Sequence, residues 1–517
     1  MKLPLPKRRG MANMDASLGS PAMPMSSLSP TLPARLDPFE ASLSDLAGAM
    51  RTGRTSAQAL VASCLARIAS FDQAGPCINA ISGVNPVAMD EARLLDEELR
   101  TRGPRGALHG IPMVVKDNID VAGMPTTAGC AALRQAYPRG DAACVARLRA
   151  AGAIVLAKSN MSELAASNGR FGYSSANGLT LNPYRLSRNA SGSSSGTGAA
   201  VAASLAAFGV GTDSFGSVRG PACVHGLAGL RPTHGLLDCA GVLPLAPSFD
   251  TVGPLARSAA DVALVMGVLA PGHGFGAQPQ TLAGRRLGIV ADFAGGNDEI
   301  DAMFDAATAA IQAAGVRVIP VHLPAGALTL YPDLLGEITR VESVRGLDQY
   351  LAQAAAAASH SAAELLRRME ARPDAGAFAV NPRTLAALRH ALATRDQPPA
   401  AGVAAARRWR GVLNRHLMAH GLDALVFPTL ACPASPRFDM ADASYHCRAE
   451  QPLAAMHLAS AAGVPEVSVP MGITAAGVPA GVSWLGRAGS DAALVAMASA
   501  FEQLTRHRRA PPLTPAL

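Results

Sequence analysis

Reactive side chains in glycine-rich surroundings fall in two segments of this chain, Ser191-Gly192-Ser193-Ser194-Ser195-Gly196-Thr197-Gly198 and Gly211-Thr212-Asp213-Ser214-Phe215-Gly216-Ser217. Glycines beside a serine let backbone N–H groups approach a ligand closely, as stabilising a developing oxyanion requires. The Ala-rich stretch between them predicts a helix over 197–208, with Val201, Leu205 and Phe208 on one face, running roughly 18 Å away from the first loop. The apolar residues 208–212 then read as extended and return roughly 15 Å in the opposite sense. Both serine loops are therefore expected at one edge of a sheet. Composition alone would make a Gly/Ser stretch a linker, but a linker is not bracketed by an Ala-rich helix and apolar strands. Gly192-Ser193-Ser194-Ser195-Gly196 also satisfies the pattern of a nucleophile elbow, which needs an apolar strand just before it, and 183–190 is too polar.

A third group comes from residue choice. Of 45 basic residues only Lys2, Lys7, Lys116 and Lys158 are lysine; wherever a mere positive charge is needed the chain uses arginine. A lysine at the end of a buried strand can do what arginine cannot, which is lose its proton near neutral pH. The competing reading makes each an ion-pair partner of neighbours such as Asp117 or Glu163. That reading is the better one for Lys158, and for Lys116 composition leaves the two equal. His109, in Leu108-His109-Gly110-Ile111-Pro112, reads as a hydrogen-bonded structural group, while His225 and His234 keep a Ser-His pairing open.

The elements that must position these groups alternate in type. Residues 42–51, 56–71 and 85–100 carry helical spacing, with Ser42 and Thr55 as N-caps of the first two. Residues 111–115 read as a buried strand ending at Lys116-Asp117-Asn118, 143–151 as a helix, and 153–157 as a second buried strand ending at Lys158. Strand, helix and strand recur at 286–291, 299–314 and 316–321; 331–420 is mostly helical, with a low-complexity run at 354–358; 424–428 and 466–470 are late strands and 492–504 a closing helix. This is an α/β chain, whose active sites gather in loops beyond strand ends. The expected organisation is a disordered leader over 1–36, one catalytic domain over 37–510 whose helical part 331–420 shapes the substrate pocket, and a tail over 511–517.

Hydrophobic residues at 49% against charged ones at 16% suit a compact globular chain. The net charge of +7 comes from scattered arginines with local doublets such as Arg367-Arg368 and Arg407-Arg408, which reads as a solvated surface; neither nucleic acid nor a membrane is an expected partner. The leader has no apolar run long enough for a secretory signal or a span. Cys64, Cys77, Cys130, Cys144, Cys223, Cys239, Cys432 and Cys447 show no CxxC pair and no zinc-finger spacing, so reduced core thiols in a cytoplasm are expected.

At these residues the chain resembles the amidase-signature family, from about Leu43 to Gln503. Leu108-His109-Gly110-Ile111-Pro112 through Lys116-Asp117-Asn118, the Gly192–Gly196 loop and Gly211–Ala222 resemble its lysine segment, Gly/Ser loop and nucleophile loop. Gly229-Leu230-Arg231-Pro232-Thr233, Asp250-Thr251-Val252-Gly253-Pro254, Pro428-Thr429 and 463–470 match further parts of the signature. The resemblance implies a large mixed β-sheet flanked by helices on both faces, and an amidohydrolase that cleaves a carboxamide C–N bond through an acyl-enzyme. Residue by residue, it implies Ser217 as nucleophile, Ser193 as a bridging serine in a cis peptide and Lys116 as base. It further implies oxyanion donors at the backbone N–H groups of Ser214, Phe215, Gly216 and Ser217, supporting roles for Ser194, Asp213 and Arg219, and no metal or organic cofactor. The implied substrate is a small-molecule amide or an amidated peptide, and a homodimer is compatible with it. Phe215-Gly216 stands where the family usually has two glycines, and the G-S-S-S-G-T loop is a variant similar to that of peptide amidases. Two alternatives stay open: an amidotransferase component that works with partner chains on misacylated tRNA, and a catalytically inactive amidase-like binding protein, motivated by Phe215.

Overall fold

The computed structural model describes residues 36–276, 281–353, 359–371 and 378–517; the expected leader, apart from Leu36, and the run 354–358 lie outside them. The chain lays down α1 (Leu43–Arg51), α2 (Ala57–Arg67), β1 (Ile81–Val84), α3 (Ala88–Arg102), β2 (Pro112–Lys116), α4 (Ala143–Ala150), β3 (Ile154–Ser159), a hairpin of β4 (Tyr173–Ser174) and β5 (Gly178–Leu179), α5 (Ser195–Ala202), β6 (Phe208–Asp213), α6 (Arg219–Val224), β7 (Ala228–Arg231) and β8 (Thr251–Ala256). There follow α7 (Ala259–Leu269), β9 (Arg286–Val290), α8 (Asp298–Ala313), β10 (Arg317–Val321) and the helices α9 (Gly336–Gln353), α10 (Ala362–Glu370), α11 (Pro382–Ala393) and α12 (Val403–Ala419). The chain closes with β11 (Ala424–Pro428), α13 (Ala454–Ala462), β12 (Glu466–Ile473), β13 (Pro479–Leu485) and α14 (Asp491–Thr505).

Eleven strands form one sheet in the order β1-β3-β2-β6-β8-β7-β12-β13-β11-β9-β10. It is mixed: β2 runs parallel to β3 and β6, whereas β6 and β8 are antiparallel. Every residue of β2, β3, β6, β8, β11 and β13 is buried, so helices and loops must cover both faces, and such strands read as continuous apolar runs. This is the large mixed sheet the resemblance implies. Among the described residues no helix is long and apolar enough to cross a membrane.

Local chemistry explains where elements begin and stop. Ser42 caps α1 in a reciprocal pair with Asp45. The cap of α2 is Ser56 and not Thr55. The helix expected over 197–208 ends at Ala202, because Ser204 turns to φ 54° and Phe208 enters the ladder opposite Met113 and Ala256. Pairing on both sides outweighs the apolar periodicity that joined Phe208 to the helix. Gly211 lets β6 lie against the Gly/Ser loop, since a Cβ there would stand 2.6 Å from Ser194 Oγ.

Two further expectations are corrected. The arginines are not all surface groups: Arg188, Arg219 and Arg231 are fully buried, each held by carboxylates and carbonyls that composition cannot reveal. Nor are the cysteines uniformly reduced core thiols. Cys432 and Cys447 form a disulfide across a loop, and Cys77 is exposed, although Cys64, Cys130, Cys144 and Cys223 are buried free thiols as expected. Within the tail, Pro511 and Thr514 are buried while the other residues are exposed. Buried Arg67 stacks between the rings of Phe39 and Phe71, at 4.8 and 4.9 Å from their centroids, and its guanidinium donates to Thr514 O at 2.9 Å and Pro515 O at 2.8 Å. It also donates at 2.8 Å to Ala203 O, the residue that ends α5. Replacing it would strand two buried carbonyls, those of Ala203 and Thr514, so Arg67→Ala is expected to cost about 3 kcal/mol and to open the tail to carboxypeptidase; denaturant unfolding and limited proteolysis check both.

Candidate active site

Lys116 ends β2 with no solvent exposure. Parallel pairing of β2 with β6 sets it beside Thr212, whose carbonyl oxygen lies 3.3 Å and whose Oγ1 lies 2.7 Å from Nζ. The third neighbour of Nζ is Ser193 Oγ, at 2.8 Å. Burial, outweighing the attraction of Asp213 and Asp250, pushes the ammonium from 10.5 down to about 7. Lys158, on the adjacent strand, differs in kind: its Nζ meets Asp117 Oδ1 at 3.3 Å, the ion pair expected of it.

The Gly192–Ser193 peptide is cis, and Ser193 is buried. The next residue ties the two serine loops together, because Ser194 N–H donates to Ser217 O at 3.2 Å while Ser194 Oγ–H donates to Thr212 O at 3.3 Å. Ser217 is half-buried and faces the cavity described below; its hydroxyl makes no hydrogen bond to another described residue.

Between Ser214 and Arg219 the loop winds around one carboxylate. Asp213 accepts from Gly216 N–H at 2.9 Å and Val218 N–H at 3.0 Å, and it pairs with Arg219 at 2.8 Å and Arg231 at 3.1 Å. Burial alone would raise this carboxyl; Arg219, then Arg231 and the Val218 amide, overcome it and hold it well below the usual carboxylate range. Arg219 also grips Glu466 at 2.6 Å, with both side chains fully buried. On the other side, Ser214 Oγ–H donates to Asp250, which also accepts from Leu245 N–H at 2.9 Å and Ala246 N–H at 3.0 Å. Gly216, expected among the oxyanion donors, therefore gives its N–H to Asp213. Its φ of 105° suits glycine, and a Cβ would stand 2.4 Å from Met456 Sδ. Phe215 keeps an ordinary backbone angle and packs 5.3 Å from both Phe249 and Tyr331.

Ser191, Gly192, Phe215 and Ser217 open onto a cavity of about 630 Å³, walled also by Leu164, Leu243, Tyr331, Met456 and His457 and by residues of α9 and α11 such as Leu347 and Leu388. The helical region 331–420 thus does border the site. His109, His225 and His234 do not line it. His109 accepts from Arg105 N–H at 3.1 Å and donates to Leu95 O at 3.0 Å, and His225 and His234 donate to Pro221 O and Pro247 O. Among the described residues no cluster of His, Cys, Asp or Glu is arranged to hold a metal ion.

Several functional side chains carry no role in the sequence reading: Thr212, Arg231, Asp250, Tyr331, His457 and Glu466. A usable signal existed for three of them. Arg231 and Glu466 are single charges inside apolar runs, which a buried strand tolerates only as pairs, and His457 is a lone polar ring in the apolar run 453–462.

Against known proteins, the sequence profile of the family described as Amidase matches residues 59–495. A glutamyl-tRNA(Gln) amidotransferase subunit from Deinococcus deserti is 38% identical over 292 residues, spanning 54% of this chain but only 58% of that relative. Its counterpart in Symbiobacterium thermophilum is 33% identical over 89% of this chain and 96% of its own length. Mandelamide hydrolase from Pseudomonas putida is 31% identical over 90% of this chain and 92% of that enzyme. The crystal structure of native peptide amidase from Stenotrophomonas maltophilia superposes with a TM-score of 0.81 at 35% identity, covering 92% of this chain and 99% of that one. With this profile spanning most of the chain and relatives above 30% identity aligned along nearly their whole length, the chain belongs to the amidase family.

Proposed function

We propose that the protein is a hydrolase of linear carboxamides, with Ser217 as nucleophile, Ser193 as bridge and Lys116 as base. The observation that carries this reading is the 2.8 Å approach of Ser193 Oγ to a fully buried Lys116 Nζ in a site that opens on Ser217. A neutral amine has two N–H bonds and one lone pair. Thr212 O and Oγ1 take the two N–H donations, which leaves the lone pair for the Ser193 proton.

Ser217 Oγ attacks the amide carbon, its proton passes to Ser193 Oγ, and the Ser193 proton passes to Lys116 Nζ. The oxyanion accepts from backbone amides of the loop; with Gly216 committed to Asp213, the donors are those of Ser214, Phe215 and Ser217. The relay then runs backward, delivering a proton to the departing nitrogen, and water releases the acyl group by the same route. The Ser217 hydroxyl closes onto Ser193 when a carbonyl occupies the cavity, since catalytic hydrogen bonds are commonly loose in the free enzyme. Mandelamide hydrolase and peptide amidase, similar over nearly the whole chain, support amide hydrolysis; a cytoplasmic, stand-alone enzyme is part of the same proposal. The amidotransferase reading draws on the Symbiobacterium relative. Turnover of a simple carboxamide by the purified single chain favours the hydrolase, whereas activity that appears only when glutamine and partner proteins are supplied favours the other.

A fluorophosphonate probe is expected to label the protein at Ser217, and Ser217→Ala to abolish labelling; absence of labelling in the wild type supports the binding-protein alternative. The active base is the deprotonated amine of a group lowered to about 7. Amide kcat/KM should therefore climb tenfold per pH unit below about 7 and level off above it, and a flat profile from pH 5 to 9 would count against the relay. Lys116→Ala should lower amide kcat by about 10²–10⁴-fold and spare ester cleavage by at least about tenfold, because an alkoxide leaves without the protonation that an amine requires; equal losses on matched amide and ester substrates would count against it.

A further inference from the structure

The cavity beside Ser217 has a chemical character that the amidase reading does not use. Its lining holds two permanently charged side chains, Glu337 and Arg340, and they neutralise each other at 2.9 Å. Arg340 also donates to Thr394 O at 2.9 Å and Thr394 Oγ1 at 2.7 Å, so four of its five N–H donors are taken. Most of the remaining wall is aliphatic or aromatic, and its volume of about 630 Å³ lies in the range that encloses a drug-sized molecule. A charged substrate group would lose its hydration there without gaining a counter-charge.

One buried polar ring in this lining lacks a partner. His457, on α13, is 7% exposed, lines the cavity, and its Nδ1 is buried with no hydrogen bond. No described residue bonds its Nε2 either. The ring lies 5.2 Å from that of Tyr331, which stands 5.3 Å from Phe215, so an aromatic row leads from the nucleophile loop to an unsatisfied imidazole. Burial, then the nearby Arg219 charge, pushes it down to about 3; it is neutral at working pH, with one donor and one acceptor nitrogen. A polar group left unpaired at a buried site is costly; Nδ1 is sealed from the cavity, so Nε2 is the ring nitrogen that a ligand atom can meet.

We propose that the cavity takes a carboxamide whose non-reacting part is bulky, apolar and uncharged, and that His457 is a specificity-determining residue that hydrogen-bonds an uncharged polar group on it, such as a second amide. This rests on the amidase reading above. A free amino acid amide with a protonated amine, or glutamine with both its charges, is a poor fit.

The test compares N-acetyl-L-phenylalaninamide with 3-phenylpropanamide, which lacks the second amide, and with L-phenylalaninamide and L-glutamine, which carry charge. Wild-type enzyme is expected to favour the first over each of the others by about tenfold or more in kcat/KM, a hydrogen bond to a neutral group being worth about that factor. His457→Phe, which keeps the ring, should collapse the preference over 3-phenylpropanamide to within about threefold through KM, and His457→Gln should restore part of it. An undiminished preference in His457→Phe overturns the role of His457. Equal wild-type use of glutamine and N-acetyl-L-phenylalaninamide overturns the uncharged-substrate assignment without any variant, should His457→Phe fail to fold. These failures leave Ser217 labelled by the fluorophosphonate and simple carboxamides hydrolysed; loss of both in the wild type instead removes the amidase reading and this inference with it.

Discussion

An ammonium with no carboxylate beside it is the constraint on which the site turns. Two lysines sit buried at the ends of neighbouring parallel strands, and the fold treats them oppositely. Lys158 receives Asp117, while Lys116 receives three uncharged oxygens. The nearby carboxylates that would re-ionise it are already committed, Asp213 to two guanidiniums and Asp250 to Ser214 and two backbone amides. A charge so desolvated is relieved by giving up its proton. The fold thereby makes a base of a residue whose ordinary state is acid, and it does so by withholding a partner.

The same withholding explains the arginine cluster. Asp213, Arg219, Arg231 and Glu466 are all fully removed from water, and an apolar replacement of such a group is often no less stable. Its geometry is what repays the desolvation. One carboxylate collects the amides of Gly216 and Val218 and so bends the loop around Ser217, while Arg219 reaches across to β12 and α13 through Glu466 and the Met456 carbonyl. The nucleophile loop is thus fixed from within by a charge and tied from without to the far half of the sheet. Bending it this way commits the Gly216 N–H to Asp213.

The sequence makes legible whatever is continuous along the chain. The strands carrying Lys116 and Lys158 are unbroken apolar runs, and the return of Ser217 to the level of Ser193 follows from a helix and a strand in succession. What escapes are elements whose identity depends on remote neighbours. Residues 228–231 and 251–256 are too short and too mixed in character to show a period, and they become β7 and β8 by pairing with each other, β8 also with β6 and β7 also with β12. The burial of Arg231 and Glu466, the bond between Cys432 and Cys447, and the capture of the C-terminal tail by Arg67 each depend on a partner outside the local segment, and no local pattern encodes them. Phe208 misleads for the same reason, since one apolar residue suits a helix face and a buried strand equally.

Machinery and pocket are built from different cores. Lys116 and both serines lie on β2, β6 and the loops around α5, whose apolar residues belong to the main cluster of the sheet. The far wall of the cavity rests on α9 and α11, where Leu347, Leu351, Leu365 and Leu388 pack with Leu133 and Leu164 in a cluster of their own. Exchanges in this second core reshape the cavity without disturbing the register that places Lys116 against Ser193. Where those helices meet the cavity in this chain, its wall carries one ion pair, Glu337 with Arg340.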